Sequence, residues 1–139
     1  MKRYIGLDLG TKTLGVAITD KSNTIIYPYE LIRFEQENYE EAFKKLKEIV
    51  LKENITDIAI GLPKNMDGSE GFAAQRTYHF CSLLKELNLP IYLVDERLTS
   101  RLAAKRLLAN GISSKKGKDY VDMQAATIIL EDYLRGLNG

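Results

Sequence analysis

Two short runs of β-type residues at the start of the chain constrain its fold more than any other feature. Residues 3–9 and 13–19 are rich in apolar and β-branched side chains, and only Gly10, Thr11 and Lys12 separate them. A connection this short joins antiparallel strands, so the pattern predicts a β-hairpin. A third strand is predicted over residues 24–32. The chain therefore begins as an antiparallel sheet of three strands.

The rest of the chain alternates between helix-like and strand-like segments. Residues 40–52 carry apolar side chains at helical spacing, namely Phe43, Leu46, Ile49 and Val50. A buried strand is predicted over 56–60, a turn-rich loop over 61–71 and another strand over 91–96. The remaining helices are predicted over 69–87, from Thr99 or Ser100 to Ala109, and over 118–135.

This order of elements, β-β-β-α-β-α-β-α-α, predicts an α/β fold with one mixed sheet. About five strands are expected, three antiparallel and then two parallel, with helices flanking the sheet. The second helix offers five apolar side chains to the core: Phe72, Phe80, Leu83, Leu84 and Leu87. A length of 139 residues suits a single domain over 1–139.

Composition excludes several classes of protein. Hydrophobic residues make up 45% of the chain and charged residues 28%, as in ordinary globular proteins. We find neither a signal-peptide pattern nor a membrane span, so a cytoplasmic location is expected. The single histidine, His79, and the single cysteine, Cys81, share one predicted helix and cannot build a zinc site. Neither a Walker loop nor a dinucleotide fingerprint is present.

The net charge of +1 hides an uneven distribution. Residues 97–118 contain no acid and seven basic side chains, namely Arg97, Arg101, Lys105, Arg106, Lys115, Lys116 and Lys118. Such a run favours contact with a polyanion such as nucleic acid. The alternative interpretation is a solvated helical surface without a partner.

Carboxylates near strand ends are the candidates for catalytic chemistry. Asp8 lies among Ile5, Leu7 and Leu9 in the first strand, where a buried carboxylate is costly unless something pairs with it. A metal ion is one such partner, and hydrogen bonds from the Gly10 turn are the other. Asp95 and Glu96 end the last strand and face opposite sides of the sheet. Only one of them can share a site with Asp8, and an ion pair with Arg97 or Arg101 is the alternative role for both.

The final helix contributes a third acid. Asp122 shares a helical stripe with Ala125, Ala126, Ile129 and Tyr133, on the side expected to pack against the sheet. Asp119 lies one turn earlier, where its alternative role is to complement the helix dipole. Acids from the first strand, the last strand and this helix could converge as oxygen ligands for Mg²⁺ or Mn²⁺. Two such ions would activate water and stabilise the leaving oxygen of a phosphodiester.

Four segments resemble, in the right order, the successive motifs of the YqgF (RuvX) family. They are GLDLGTKTLGVAITD at 6–20, GLPKNMDGS at 61–69, VDERLTS at 94–100 and KGKDYVD at 116–122. The resemblance implies an RNase H-like fold related to Holliday junction resolvases, and a role as the nuclease that matures the 5′ end of pre-16S ribosomal RNA. It also implies that the catalytic, metal-binding carboxylates are Asp8, Glu96 and Asp122.

The position of the second acid differs from that in many RNase H-like proteins. Those relatives carry it at the end of the strand next to the first, a place that here falls near Gly61 and Leu62. If Glu96 lies one strand further out, two strand spacings put its backbone roughly 10 Å from Asp8. Only a long side chain bridges that gap, which favours Glu96 over Asp95. The sequence is compatible with a site for one metal ion and with a site for two.

The nucleic-acid contacts are expected on both sides of the acids. In the 61–71 loop, Lys64, Asn65 and Ser69 are candidates for phosphate or backbone contacts, and the alternative is a simple strand-to-helix connection. Residues 115–118 are expected to form a flexible loop that clamps nucleic acid. The basic residues predicted to contact nucleic acid are Arg97, Arg101, Lys105, Lys115, Lys116 and Lys118.

Three alternative functions remain at this point. The first is a Holliday junction resolvase acting on branched DNA, for which a homodimer is expected, whereas an RNA nuclease could act as a monomer. The second is a non-catalytic nucleic-acid-binding module. The third is an actin-like nucleotide binder, because residues 8–15 also resemble a phosphate loop, although such proteins clasp ATP between two domains.

Overall fold

A five-stranded sheet forms the centre of the computed structural model, which describes residues 2–96 and 114–138, with the backbone alone for 114–122, 137 and 138. The spatial order of the strands is β3-β2-β1-β4-β5. Strands β1, β2 and β3 are antiparallel, whereas β4 lies parallel to β1, and β5 parallel to β4. The predicted mixed sheet is therefore confirmed. The strands comprise Tyr4–Leu9, Thr13–Thr19, Ile26–Arg33, Asp57–Leu62 and Ile91–Asp95.

Three α-helices flank the described sheet. Helix α1 spans Tyr39–Lys52, and its N-terminus is capped by Asn38, which accepts a hydrogen bond from the backbone N–H of Glu41. Helix α2 spans Phe72–Leu84 and continues as a short 3₁₀ helix, Lys85–Leu87. Helix α3 spans Ser114–Asn138. The helix predicted from Thr99 or Ser100 to Ala109 lies outside the described residues.

The two faces of the sheet differ in what they bury. On the α1/α2 face, strand residues such as Ile5, Leu7 and Ile60 pack with helix residues such as Leu46 and Phe80. On the α3 face, helix α3 crosses all five strands. Its Ile129 and Leu130 pack with Ala59 of β4 and with half-buried Tyr4 and Val94. Within the described ranges, no helix is both long and apolar enough to cross a membrane.

Helix α2 begins three residues later than predicted. Ser69 was expected to start the helix, but its N–H and hydroxyl donate to Asp67 Oδ1, and its hydroxyl accepts from Asn65 Nδ2. These bonds hold Ser69 in the preceding loop, so that Phe72 opens the helix. Phe72 was predicted to join the core, and this was wrong, because its side chain is 79% exposed.

Helix α3 begins four residues earlier than predicted. Residues 115–118 were expected to form a flexible loop, whereas they lie in the first two turns of a helix that starts at Ser114. Lysine is a good helix former, and a single interior glycine such as Gly117 costs only about 1 kcal/mol relative to alanine. The long packed helix that follows absorbs that cost.

Candidate functional site

The carboxyl ends of β1, β4 and β5 meet at one edge of the sheet, hereafter the carboxyl edge. The register pairs Leu7 with Ile60 and Gly61 with Val94. Continuing the β1–β4 register by one residue sets Asp8 beside Gly61. Three parallel strands thus end together, which is where open α/β sheets place their ligand sites.

Asp8 lies at this edge on the α3 face, two residues after Gly6. Its partner in β2 is Gly15, and its neighbour in β4 is Gly61. The partly exposed Asp8 carboxylate therefore has glycine on both sides. Neither neighbouring strand position therefore carries a side chain beside the Asp8 carboxylate.

Glu96 directly follows β5 and continues the ladder, because its N–H donates to the carbonyl oxygen of Leu62 at 3.2 Å. Its side chain is 9% exposed, whereas Asp95 is exposed, which agrees with the predicted alternation. Glu96 Oε2 lies 2.5 Å from the point that a Cβ atom on Gly61 would occupy. The Glu96 carboxylate therefore lies above β4, one strand closer to Asp8 than its own backbone.

Helix α3 approaches the sheet closely at two glycines. A Cβ atom on Gly6 would lie 2.6 Å from the carbonyl oxygen of Ala126 and 2.8 Å from Cβ of Leu130. On Gly61 it would lie 2.5 Å from Cδ1 of Ile129. A larger residue at Gly6 would push the helix outward, whereas one at Gly61 would displace the Ile129 and Glu96 side chains. Gly6 thus sets the height of α3, and Gly61 leaves room for the Glu96 carboxylate.

Three tyrosines fix the other end of α3. The ring of Tyr133 stacks on Tyr92 with centroids 4.6 Å apart, and lies 5.9 Å from the ring of Tyr4. Loss of solvent and a hydrogen bond with Tyr92 raise the pKa of Tyr133 far above its usual range. The cluster anchors the C-terminal half of α3 over the start of β1.

These contacts give the direction of α3 relative to β1. Tyr133 lies over Tyr4 and Ala126 over Gly6, so the helix runs antiparallel to the strand. One further turn back along the helix, about 5.4 Å, matches about 6.6 Å for the two strand residues from Gly6 to Asp8. The backbone of residue 122 therefore comes above the carboxyl edge. The Asp122 side chain lies outside the described part.

The donors at this edge fit a hard divalent cation. Asp8 and Glu96 supply carboxylate oxygens, which Mg²⁺ and Mn²⁺ prefer, and the missing side chain at Gly61 makes room for one of them. Among the described side chains, no cluster of three or more His, Cys, Asp or Glu could hold a metal. The third predicted ligand, Asp122, is not among those side chains.

The 61–71 loop borders the carboxyl edge and is closed on itself. Asn65 donates from its backbone N–H to the carbonyl oxygen of Ser69 and from its amide to the Ser69 hydroxyl, both at 2.9 Å. Lys64 Nζ lies 4.0 Å from Glu70 Oε2. Both predicted contact residues thus lie beside the site, although Asn65 already bonds within the loop.

The basic residues predicted to bind nucleic acid fall mainly beyond the described side chains. Arg97, Arg101 and Lys105 lie outside the described residues. Of Lys115, Lys116 and Lys118, only the backbone is described, in the first two turns of α3. These three positions precede residue 122 on the helix that crosses the site.

Gly6 and Gly61 were not singled out as site residues from the sequence. A signal was present, because an isolated glycine within a strand marks a close approach of another group. The tyrosine cluster gave no such signal, since it combines residues from two strands and a helix.

Comparisons with known proteins point to one family. A family model described as "RuvX: Holliday junction resolvase" matches residues 2–136. A protein of Geobacillus sp. (strain WCH70), named "Putative pre-16S rRNA nuclease", is 41% identical over 133 residues, which cover 95% of this chain and 96% of that protein. A protein of Bacillus subtilis (strain 168) with the same name is 39% identical over 137 residues, covering 98% and 99%.

Solved structures support the fold. The structure of T. thermophilus RuvC in complex with a Holliday junction substrate superposes with a TM-score of 0.59 at 12% identity, covering 97% of this chain and 96% of that one. The shared architecture is the RNase H-like fold, as the sequence motifs implied. With a family match over nearly its whole length and relatives about 40% identical, the chain belongs to the RuvX (YqgF) family.

Proposed function

We propose that this protein is a metal-dependent nuclease that cleaves phosphodiester bonds during 5′-end processing of pre-16S ribosomal RNA in the cytoplasm. The observation that carries the proposal is the Glu96 carboxylate lying over Gly61, one strand from Asp8, at the carboxyl edge. The substrate is taken from the names of the relatives.

Asp8, Glu96 and Asp122 would hold Mg²⁺ or Mn²⁺. When bound, such an ion lowers the pKa of water and offsets the negative charge that develops on the phosphate. The chain's own residues hold these ligands in place. The missing side chain at Gly61 leaves the space in which the Glu96 carboxylate lies, and Glu96 is buried there. Helix α3, seated on Gly6, would carry Asp122 toward the same edge.

The basic residues would bind the backbone of the nucleic acid. Lys64 and Asn65 border the carboxyl edge, and the remaining contacts would be Arg97, Arg101, Lys105, Lys115, Lys116 and Lys118. Replacing Lys115, Lys116 and Lys118 together with glutamine should weaken binding and flatten its salt dependence by about one unit per lost phosphate contact. An unchanged slope in a titration at several salt concentrations would make these lysines a solvated surface only.

A second candidate function is cleavage of branched DNA. The match to RuvC over nearly the whole chain favours it, as does the description of the family model. A resolvase cuts two strands symmetrically, which favours a homodimer. An RNA-processing enzyme could act as a monomer, so the oligomeric state during cleavage helps to separate the two functions.

The deciding experiment is a cleavage assay with Mn²⁺ or Mg²⁺ on a pre-16S RNA fragment and on a four-way DNA junction, run side by side. Asp8→Asn and Glu96→Gln should each reduce cleavage at least on the order of a hundredfold, since even outer-shell changes at metal sites cost 10- to 100-fold. Asp95→Asn is the matched control, because Asp95 faces away from the site.

Two outcomes would contradict the proposal. Cleavage by Asp8→Asn at the normal rate would put the site elsewhere. Binding of both substrates without cleavage by the unaltered protein would make it a non-catalytic nucleic-acid-binding module.

A further inference from the structure

Three large side chains project into solvent where β4 leads into α2. Phe72 is 79% exposed, Met66 56% and Tyr78 42%. Met66 lies in the 61–71 loop, Phe72 opens α2 and Tyr78 lies nearly two turns further along the helix. We call these three side chains, two aromatic rings and the Met66 thioether, the aromatic platform. The roles already assigned to the carboxylates do not involve it.

The segment that carries the platform is well ordered by its own hydrogen bonds. Asn65 and Ser69 bridge the two sides of the loop, and Asp67 Oδ1 accepts from the N–H and hydroxyl of Ser69. Tyr78 then ties α2 to the loop, because its hydroxyl donates to Glu70 Oε1 at 2.8 Å. Phe72 and Met66 are thus exposed on a segment that hydrogen bonds hold in one conformation. This reduces the conformational entropy that is lost when a ligand binds there.

The platform lies at the carboxyl edge. Helix α2 connects parallel β4 and β5, so it runs back across the sheet and its first residue, Phe72, lies where β4 ends. That is the edge at which Asp8 and Glu96 meet, although these two acids lie on the α3 face and α2 packs on the opposite face. A strand of nucleic acid with its phosphate at the carboxylates would reach Phe72 by passing around this edge of the sheet.

Basic side chains that suit phosphate contacts lie around the platform. Helix α2 contains no acidic residue and carries Arg76 one turn after Phe72. Lys64 and the exposed Lys12 of the β1–β2 turn add positive charge at the same edge. Three acids also lie nearby. Glu70 Oε2 lies 4.0 Å from Lys64 Nζ, and its other oxygen accepts from Tyr78. Asp67 accepts from Ser69, and the N–H of Glu37 donates to the carbonyl oxygen of Thr11 beside Lys12.

We propose that the aromatic platform stacks the unpaired bases of a single-stranded nucleic acid next to the cleavage site, with Phe72 as the main stacking ring. Bases in a duplex are stacked on one another and cannot reach such a ring, whereas unpaired bases can. The platform would select single-stranded segments over uniform duplex. This inference rests on the proposed function for the identity of the site, but it concerns binding alone.

The absence of tryptophan from the chain allows a direct test. Phe72→Trp places a single indole at the platform while keeping a stacking ring. Titration with a single-stranded RNA 12-mer, a single-stranded DNA 12-mer and a blunt RNA duplex is done in EDTA, so that no cleavage occurs. We expect both single strands to quench the tryptophan emission and the duplex to leave it unchanged. Leu51→Trp, at the opposite edge of the sheet, is the matched control and should respond to none.

Removal of the ring gives the second measurement. Phe72→Ala should weaken binding of the single strands roughly 5- to 100-fold, the range for loss of one base–aromatic stack. Phe72→Leu, which keeps an apolar side chain, should lose nearly as much. Leu51→Ala, which removes an equally exposed apolar group, should bind normally.

The proposal is overturned if Phe72→Ala binds single strands within twofold of the unaltered protein, or if duplex quenches Phe72→Trp as strongly as single strands do. It is also overturned if Phe72→Ala changes only the oligomeric state in sedimentation, since the platform would then be a self-association surface. These results are independent of the proposed nuclease activity. Stacking without cleavage in Mn²⁺ would refute the nuclease alone, and cleavage without stacking would refute the platform alone.

Discussion

The two faces of the sheet bury different kinds of side chain. The α1/α2 face is lined by large aliphatic residues, such as Ile5, Leu7 and Ile58, which close-pack against two amphipathic helices. On the α3 face, the strand positions under the helix include Gly6, Ala59 and Gly61. The first face supplies apolar burial. The second face buries smaller strand residues, which allows a helix and a carboxylate to lie close to the strands.

The same contrast extends to the charged groups. On the α1/α2 face, Arg3 lies at the edge opposite the site, where its guanidinium pairs with Glu53 at 3.0 Å and donates to the carbonyl oxygen of Thr19. That charge serves the fold. On the α3 face, Asp8 and Glu96 lie at the carboxyl edge beside glycines. The comparison implies that stability and chemistry can be changed separately by substitutions on the two faces.

The largest effect is expected from the α1/α2 face. Phe80 is fully buried there, and Phe80→Ala should lower the free energy of unfolding by about 3–5 kcal/mol through lost burial and a cavity. Cleavage per folded molecule at low temperature should stay near normal, since Phe80 packs in the core of the α1/α2 face and the carboxylates lie on the α3 face. Urea unfolding and a cleavage time course measure the two quantities. Loss of cleavage in the folded protein would contradict the separation of the faces.

The second-largest effect is expected at Gly61, where the packing of helix α3 can be distinguished from the position of the Glu96 carboxylate. Gly61→Ala should cost about 1–3 kcal/mol, because the new methyl group meets both Ile129 Cδ1 and the Glu96 carboxylate. Ile129→Val removes that Cδ1 atom, so adding it to Gly61→Ala should recover part of the stability. Cleavage by the double variant should remain low, because the methyl group still displaces Glu96.

Ile129→Val alone is the matched control and should cost only about 0.5–1.5 kcal/mol. If cleavage by the double variant returns together with stability, Gly61 serves helix packing and the position of Glu96 above it has no catalytic consequence. Thermal unfolding in the absence of metal gives a readout that does not depend on activity.

Much of the fold could be predicted because its signals are local. Alternation and helical spacing identified all five strands and the described helices, and the short turn at Gly10 predicted the hairpin. Boundaries shifted where side chains compete for backbone groups. Strand β3 begins at Ile26 instead of residue 24, because Asp20 Oδ1 accepts from the N–H groups of Thr24 and Ile25 and extends the turn.

The arrangement of the site was harder to predict because it depends on register between distant segments. Alternation correctly separated Asp95 from Glu96, and the gap of two strand spacings favoured the longer side chain, but its contact with Gly61 depends on the register of the assembled strands. The exposure of Phe72 was also missed, since helical spacing alone could not reveal that the 65–69 loop delays the start of α2. The contact of Glu96 with Gly61 and the exposure of Phe72 both arise only when the strands and helices are assembled.

The smallest effect is expected at the polar cluster of the α1/α2 face and depends on pH. The Tyr29 hydroxyl donates to Glu53 Oε2 at 2.7 Å, which raises the pKa of Tyr29 to about 12 and lowers the pKa of Glu53, with help from Arg3. Because the pKa of Tyr29 is higher in the folded state, its hydrogen bond stabilises the fold fully at pH values below the unfolded pKa of about 10. That contribution is lost as the pH rises through about 12. For Glu53 the contribution is present above about 4.5 and is lost as pH falls through the lowered folded pKa.

Tyr29→Phe should therefore lower the free energy of unfolding by about 1 kcal/mol at neutral pH. This value is below the usual range for a hydrogen bond to a charged group because the pair is partly exposed to water. The difference from the unaltered protein should shrink between pH 10 and 12, and again below pH 4.5, in urea unfolding curves. Tyr27→Phe is the control for removing a tyrosine hydroxyl from the same strand. Cleavage at pH 7 should be unchanged, because the cluster lies at the opposite edge from Asp8. A difference that stays constant from pH 4 to 12 would mean that the Tyr29 hydroxyl stabilises the fold by packing alone, and a loss of cleavage would couple the two edges of the sheet.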